Sequence, residues 1–113
     1  MKLIYWVASA KNDLDAMPAI VQDTFGFALH LAQAGHKHPD AKPLKGFGGS
    51  GVLEVVENLQ GNTYRAVYTL KIANAVYVLH CFQKKSTKGD ETPKPDMELI
   101  RDRLKFVLSH SKD

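Results

Sequence analysis

The sequence contains a single cysteine, Cys81, and lacks any long hydrophobic run. One thiol excludes an internal disulfide and a thiolate metal cluster. The apolar runs are far shorter than the roughly 20 residues that a membrane-spanning helix needs. The start, MKLIYWVASAKND, turns polar too early for the hydrophobic region of a signal peptide. The sequence therefore predicts a cytoplasmic protein with no membrane segment.

Acidic residues are absent from residues 58–89, although the whole chain has 12 Asp and Glu against 15 Lys and Arg, a net charge of +3. The cations of this segment are Arg65, Lys71, Lys84, Lys85 and Lys88. Such asymmetry favours a polyanionic partner, either nucleic acid or a strongly acidic protein. A chance fluctuation in composition is the alternative.

The length of 113 residues, with 44% hydrophobic and 24% charged residues, predicts one domain over residues 1–113. Hydrophobic periodicity predicts an N-terminal strand, two N-terminal helices, three antiparallel strands joined by hairpins, and a C-terminal helix. The predicted ranges are residues 3–7 for the first strand, a short helix capped by Ser9 and ended by Pro18, a helix over 18–34, strands over 52–59, 63–71 and 75–83, and a helix carrying Met97, Ile100, Leu104 and Val107. The predicted class is α+β.

The helix over residues 18–34 carries an unusually wide apolar surface. Its central stripe consists of Val21, Phe25, Ala28, Leu29 and Ala32, and it is widened by Ile20, Phe27 and Leu31. One interpretation packs the whole surface against the sheet and the short helix. The other leaves part of it to receive another chain.

Residues 36–51 form a loop rich in glycine and proline. The loop is not a nucleotide-binding P-loop, because it lacks Gly-Lys-Ser/Thr and is followed by a strand. His36, His38 and Asp40 have no further ligands at metal-site spacing, so no metal site is predicted. Lys42 and Lys45 are candidate contacts to backbone phosphates.

Arg65 stands in the middle of a predicted strand, and a charged side chain seldom enters a core without a partner. Glu54 or Glu57 on the preceding strand could neutralise it, or it could face a site that receives an anion. The residues alone leave these alternatives open.

Lys84 and Lys85 follow the last strand directly. Two adjacent ammonium groups at a rigid strand end suit a phosphate site, although a solubilising strand terminus is the alternative. His80, in the same strand, has the intrinsic pKa best suited to proton transfer. Alternatively, it is a structural histidine packed with Val76, Val78 and Phe82.

Several motifs, in this order, resemble the HigB-like branch of the RelE/ParE toxin superfamily, whose members are often described as phage-derived. They are a helix ending AQAG, the loop AKPLKGFGGSGVLEV, YRAVY, VYVLHCFQKKS, a linker containing TP, and an arginine-bearing C-terminal helix. The resemblance implies a RelE-like fold, with a small curved antiparallel sheet packed on two N-terminal helices.

The resemblance further implies the toxin of a type II toxin–antitoxin system, a metal-independent and cofactor-independent endoribonuclease that cuts mRNA on the ribosome. Arg65 matches the strand arginine that contacts the scissile phosphate, and Lys85 matches the basic residue after the last long strand. Lys84 and His80 complete the expected catalytic set. The C-terminal helix lacks the tyrosine that RelE carries, so the resemblance assigns no general base. ParE-type relatives share the fold but inhibit gyrase by protein contact, and this is the alternative function.

The resemblance also implies an inhibitory partner, a helix-turn-helix antitoxin of the HigA type. We expect it to bind the helix over residues 18–34 and to bury Phe27 and Leu31, since exposed apolar side chains close together favour a protein contact. Lys42, Lys45 and Lys88 are expected to bind RNA phosphates.

Overall fold

The computed structural model of the chain describes residues 1–49, 51–84 and 91–111. The elements in chain order are β1 (Leu3–Trp6), α1 (Ala10–Asp15), α2 (Ala19–Gln33), β2 (Lys42–Pro43), β3 (Val52–Leu59), β4 (Asn62–Thr69), β5 (Ala75–Lys84) and α3 (Lys94–His110). The predicted α+β class, with a curved sheet and a C-terminal helix, is confirmed. Within the described ranges, no helix is both long and apolar enough to cross a membrane.

The strands form one sheet in the order β1-β5-β4-β3-β2. β3, β4 and β5 make the predicted antiparallel meander. Both hairpin turns have positive φ at their two central residues, Gln60 and Gly61 in one and Ala73 and Asn74 in the other. This is the type I′ pattern, which matches the twist of antiparallel strands.

β1 lies parallel to β5, with Leu3 opposite Ala75, so the sheet is mixed at this edge. No hairpin ties these two strands together, and nothing in the local sequence therefore sets their relative direction.

α1 and α2 cover one face of the sheet. The predicted stripe of α2 is its buried side, and its five members are at most 2% exposed. They pack with sheet residues that include Val55, Ala66, Tyr68 and Val76. The side chains expected to widen the stripe lie at its margin, because Ile20 and Phe27 are 60% and 54% exposed and Leu31 is half-buried.

α3 covers the opposite face. Ile100, Leu104 and Val107 are buried against Val67 and Leu79 of the sheet, as the helical spacing predicts. Full burial of such a side chain stabilises the fold by about 1.5–3 kcal/mol. The sheet is therefore covered by helices on both faces.

β5 contains a bulge that changes which residues share a face. Val67 lies opposite His80, while the next residue, Tyr68, lies opposite Val78, so Leu79 is the extra residue. Val78 belongs to the core under α1 and α2. The expectation that His80 shares a face with Val76 and Val78 is therefore wrong, because the bulge interrupts the alternation of period two.

Candidate active site

The β4–β5 pair brings three of the predicted site residues to one face of the sheet. Arg65 lies opposite Phe82, and Lys84 lies opposite Thr63. Directly opposed residues share a face, as do alternate residues along a strand. Arg65, His80 and Lys84 consequently share the face that α3 covers.

Arg65 donates hydrogen bonds to polar side chains on β3 and just before α3. Its Nη1 donates to Glu54 Oε2 at 2.9 Å and to Thr92 Oγ1 at 3.4 Å. Of the two acids that the sequence left open, Glu54 is the partner, because Glu57 lies opposite Tyr64 on the other face. Arg65 is only 2% exposed. A phosphate can therefore reach the guanidinium only after one of its neighbours moves.

Glu54 also attracts Lys42, whose Nζ lies 3.8 Å from Glu54 Oε1. The Lys42 side chain is 55% exposed, whereas that of Glu54 is 6% exposed. Because the Lys42 ammonium stays largely in solvent, this contact contributes at most about 1 kcal/mol. The contact nevertheless places Lys42, which lies far from Arg65 in sequence, at the edge of the Arg65 cluster. Lys45 is exposed, two residues beyond β2.

The predicted pair of cations at the end of β5 can be placed in part. Lys84, the last residue of the strand, is 7% exposed. Lys85 and Lys88 lie outside the described residues.

His80 is hydrogen-bonded to an acid that the sequence did not reveal. Its Nε2 lies 2.8 Å from Asp96 Oδ1, and its ring stacks on Phe82 with centroids 4.5 Å apart. Burial lowers the pKa of His80 below its usual value, and the Asp96 carboxylate opposes this shift only in part. A neutral imidazole carries its proton on the nitrogen that faces a carboxylate, which in His80 is Nε2. Among the described residues, Nδ1 has no hydrogen-bond partner.

Asp96 stands in the first turn of α3, where a carboxylate is favoured by the helix dipole. That local preference was the only signal available, because the acid lies sixteen residues from His80 in the sequence. A contact of this kind depends on how α3 crosses the sheet.

The segment from Thr92 to Asp96, which leads into α3, contacts both buried groups. Thr92 contacts Arg65, and Asp96 contacts His80. One short segment therefore contacts the arginine and the histidine together.

A groove of about 780 Å³ follows the second half of β5, between the end of α1 and the start of α3. His80, Asp13 and Asp96 line it, whereas Arg65 and Lys84 do not. Its carboxylates disfavour a phosphate inside the groove. In the described part of the chain, no three His, Cys, Asp or Glu side chains are grouped to hold a metal ion.

The residues expected to bind an antitoxin lie on the outer side of α2, away from this face. Phe27 is 54% exposed, and its ring meets that of His38 edge-on, with centroids 5.8 Å apart. Leu31, one turn further along the helix, is half-buried.

A protein-family model described as phage-derived protein Gp49-like (DUF891) matches residues 12–105. The chain belongs to the Gp49-like family. This family is associated with RelE-type, toxin-like proteins. The matched range runs from α1 into α3 and so includes Arg65, His80, Lys84 and Asp96. Neither the curated proteins nor the solved structures contain a match.

Proposed function

We propose that this Gp49-like protein is the HigB-like toxin of a type II toxin–antitoxin system and an endoribonuclease that cuts mRNA on translating ribosomes, in the cytoplasm and without a metal. The family supports the toxin class. The observation that carries the enzymatic part is the position of Arg65, His80 and Lys84 on one sheet face, with Arg65 and His80 contacted by one segment.

The chemistry requires no cofactor. The 2′-oxygen of RNA forms a bond to phosphorus, the bond from phosphorus to the 5′-oxygen breaks, and a 2′,3′-cyclic phosphate and a 5′-hydroxyl remain. Arg65 and Lys84, with Lys85, hold the phosphate and stabilise the charge that develops on it. His80, neutral at physiological pH, accepts the proton of the 2′-hydroxyl. The leaving 5′-oxygen takes a proton from water.

Because Arg65 and Lys84 are buried, binding of RNA at this site requires a local rearrangement. Removing one partner of a buried ion pair costs about 3–5 kcal/mol, so Arg65 leaves Glu54 only if another anion replaces it. An RNA phosphate delivered by the ribosome is such an anion. Lys42, Lys45 and Lys88 are expected to bind the flanking phosphates.

Inhibition of gyrase through protein contact is the second candidate function. The same burial favours it, since Arg65 bonded to Glu54 and Thr92 has a structural role that needs no substrate. In that case the cations stabilise a protein-binding surface.

The two functions are separated by mapping RNA ends after brief induction, by primer extension on several mRNAs, with and without a block of translation. A supercoiling assay with purified gyrase runs in parallel. We expect new 5′ ends that disappear when translation is blocked, and unchanged supercoiling. Growth arrest with intact mRNA and inhibited supercoiling would establish the second function instead.

We further propose a helix-turn-helix antitoxin of the HigA type as the partner that keeps the protein inactive. The exposed side of α2 around Phe27 and Leu31 is its docking surface, because it is apolar and borders the buried stripe.

A further inference from the structure

Leu79, the extra residue of the β5 bulge, pairs with neither neighbouring strand in the described sheet. The pairing of β1 with β5 ends at Val78, and the register with β4 passes from Val78 directly to His80. The Leu79 side chain is buried in the core under α3. Its backbone carbonyl therefore needs a hydrogen-bond partner from outside the sheet.

Arg103 of α3 supplies this partner. Its Nη1 donates to the Leu79 carbonyl oxygen at 2.7 Å, and its Nη2 donates to Ser9 Oγ at 3.1 Å. Ser9 in turn donates to Asp13 Oδ2 at 2.7 Å. One half-buried guanidinium thus connects α3, the bulge and the start of α1. The planar fork of an arginine holds two separate acceptors in fixed directions, whereas a lysine ammonium is a single point charge.

The bulge decides on which face of the sheet His80 lies. Val78 belongs to the core under α1 and α2, and side chains two residues apart in a regular strand share a face. Without the extra residue, His80 would follow Val78 to that face. With it, the His80 ring lies under α3, where its Nε2 is 2.8 Å from Asp96 Oδ1. The bulge is therefore a condition for the contact between His80 and Asp96.

α3 holds two consecutive residues of β5 through two polar side chains, which are about two turns apart along the helix. Asp96 contacts the His80 ring, and Arg103 contacts the Leu79 carbonyl. Burial is the main cause of the lowered pKa of His80, and the positive charge of Arg103 acts in the same direction. The carboxylates of Asp96 and Asp13 oppose both effects. Arg103 therefore affects both the position and the protonation of the ring.

We propose that Arg103 is a positioning residue of the candidate active site, which fixes the bulge at Leu79 and thereby holds His80 on the α3 face against Asp96. Arg103 is not among the residues that line the groove beside His80, so it acts through His80 and not on the substrate. The catalytic part of this inference rests on the proposed function, in which neutral His80 accepts a proton. The effect of Arg103 on the His80 ring does not depend on that function.

The effect on the ring is tested without RNA, by following His80 in an NMR pH titration of the folded protein, with His80→Gln to assign its signal. In Arg103→Gln the pKa of His80 should rise towards about 6.5, the usual value, because the ring loses a neighbouring positive charge and its fixed, buried position. Arg101→Gln is the matched control, since Arg101 lies on the same helix over the Phe47 ring, and it should leave the titration unchanged. An unchanged pKa in Arg103→Gln, or an equal rise in both variants, overturns the proposal.

The consequence for catalysis is measured as mRNA cleavage on programmed ribosomes. Arg103→Gln should lower kcat about 10- to 100-fold with little change in KM, because a misplacement of about 1 Å has an effect of this size. Arg103→Lys keeps the charge and the packed methylenes but not the fork, so it should retain the low pKa of His80 and still lose kcat.

Full activity of Arg103→Lys would contradict the positioning role, because the charge alone would then suffice. Normal kcat in folded Arg103→Gln would contradict it as well. If the wild type leaves mRNA uncut, the proposed function fails, and the NMR titration still decides whether Arg103 controls the His80 ring.

Discussion

Some contacts of Arg65 could be predicted from the sequence, and others could not. A charged side chain in an apolar strand needs a partner, and the preceding strand offered two acids for Arg65, Glu54 and Glu57. The choice between them followed only from the register, which places Glu54 opposite Val67 on the face of Arg65. Glu57 lies an odd number of residues away and therefore on the other face. Thr92 could not be predicted, because its contact depends on how α3 returns over the sheet.

Replacing Arg65 should affect stability as well as cleavage. Arg65→Leu leaves the Glu54 carboxylate buried without its guanidinium, and we expect a loss of about 3–5 kcal/mol in the free energy of unfolding. Adding Glu54→Leu to Arg65→Leu should recover most of this loss, because no unpaired charge remains. Urea denaturation measures both values.

The double variant also separates folding from function. If Arg65 holds the phosphate, the refolded double variant cleaves RNA at least about 100-fold more slowly than the wild type. Normal cleavage by this stable variant would remove Arg65 from the site.

His80 should make stability depend on pH. Its pKa is lowered in the folded state, so the unfolded chain binds the proton more tightly. The contribution is fully present above pH of about 6.5, the usual value for histidine, and is lost as the pH falls towards the folded pKa. His80→Gln should cost about 1 kcal/mol at neutral pH and flatten the decline of Tm between about pH 7 and 5. Equal slopes for the two proteins would mean that the folded state does not depress the pKa.

The same substitution tests the catalytic role of His80. A proton acceptor that is lost should reduce cleavage about 100-fold or more while the variant stays folded. Asp96→Asn is the companion variant. It keeps an acceptor for Nε2 but removes the charge, so the pH–rate profile should shift while KM stays unchanged. A variant that melts earlier but cleaves normally would make His80 structural.

At the scale of elements, helices and strands with a regular hydrophobic period could be predicted from the sequence, whereas irregular features of the sheet could not. The α2 stripe through Val21 and Phe25 follows the helical period and is the buried side. The β3, β4 and β5 ranges were predicted to within two residues, because turn residues such as Gly61 punctuate alternating strands. β2 was not predicted and lies in the segment predicted as a loop, because a strand of two residues shows no hydrophobic period. The bulge at Leu79 could not be predicted either, because the extra residue is apolar like its neighbours in the strand.

The outer side of α2 leads to a prediction about the antitoxin. Phe27→Ser with Leu31→Ser should abolish pull-down of the cognate antitoxin while the protein stays toxic. The stability cost should be small for Phe27, which is 54% exposed. The matched variant combines Arg65→Leu, Glu54→Leu and Lys84→Ala and should still bind. The reverse pattern would place the antitoxin over the cations and make inhibition a matter of occlusion.

At the scale of the whole molecule, the placement of the helices separates the two proposed binding surfaces. α2 and α3 cover opposite faces of the sheet. The proposed antitoxin surface and the proposed RNA site therefore lie on different sides of the molecule. An inhibitor on α2 would act by bulk, by blocking entry to the ribosome, and would leave the segment from Thr92 to Asp96 untouched.

The most direct test of the central proposal is the chemistry of the RNA ends. Wild-type protein is incubated with programmed ribosomes, and the fragments are then analysed by mass spectrometry. The Arg65→Leu, Glu54→Leu double variant, prepared in the same way, is the control for contaminating nucleases. We predict fragments ending in 2′,3′-cyclic phosphate, matched by 5′-hydroxyl ends, with the wild type and none with the double variant. Uncut mRNA with the wild type, or equal cleavage by both proteins, would contradict the proposal.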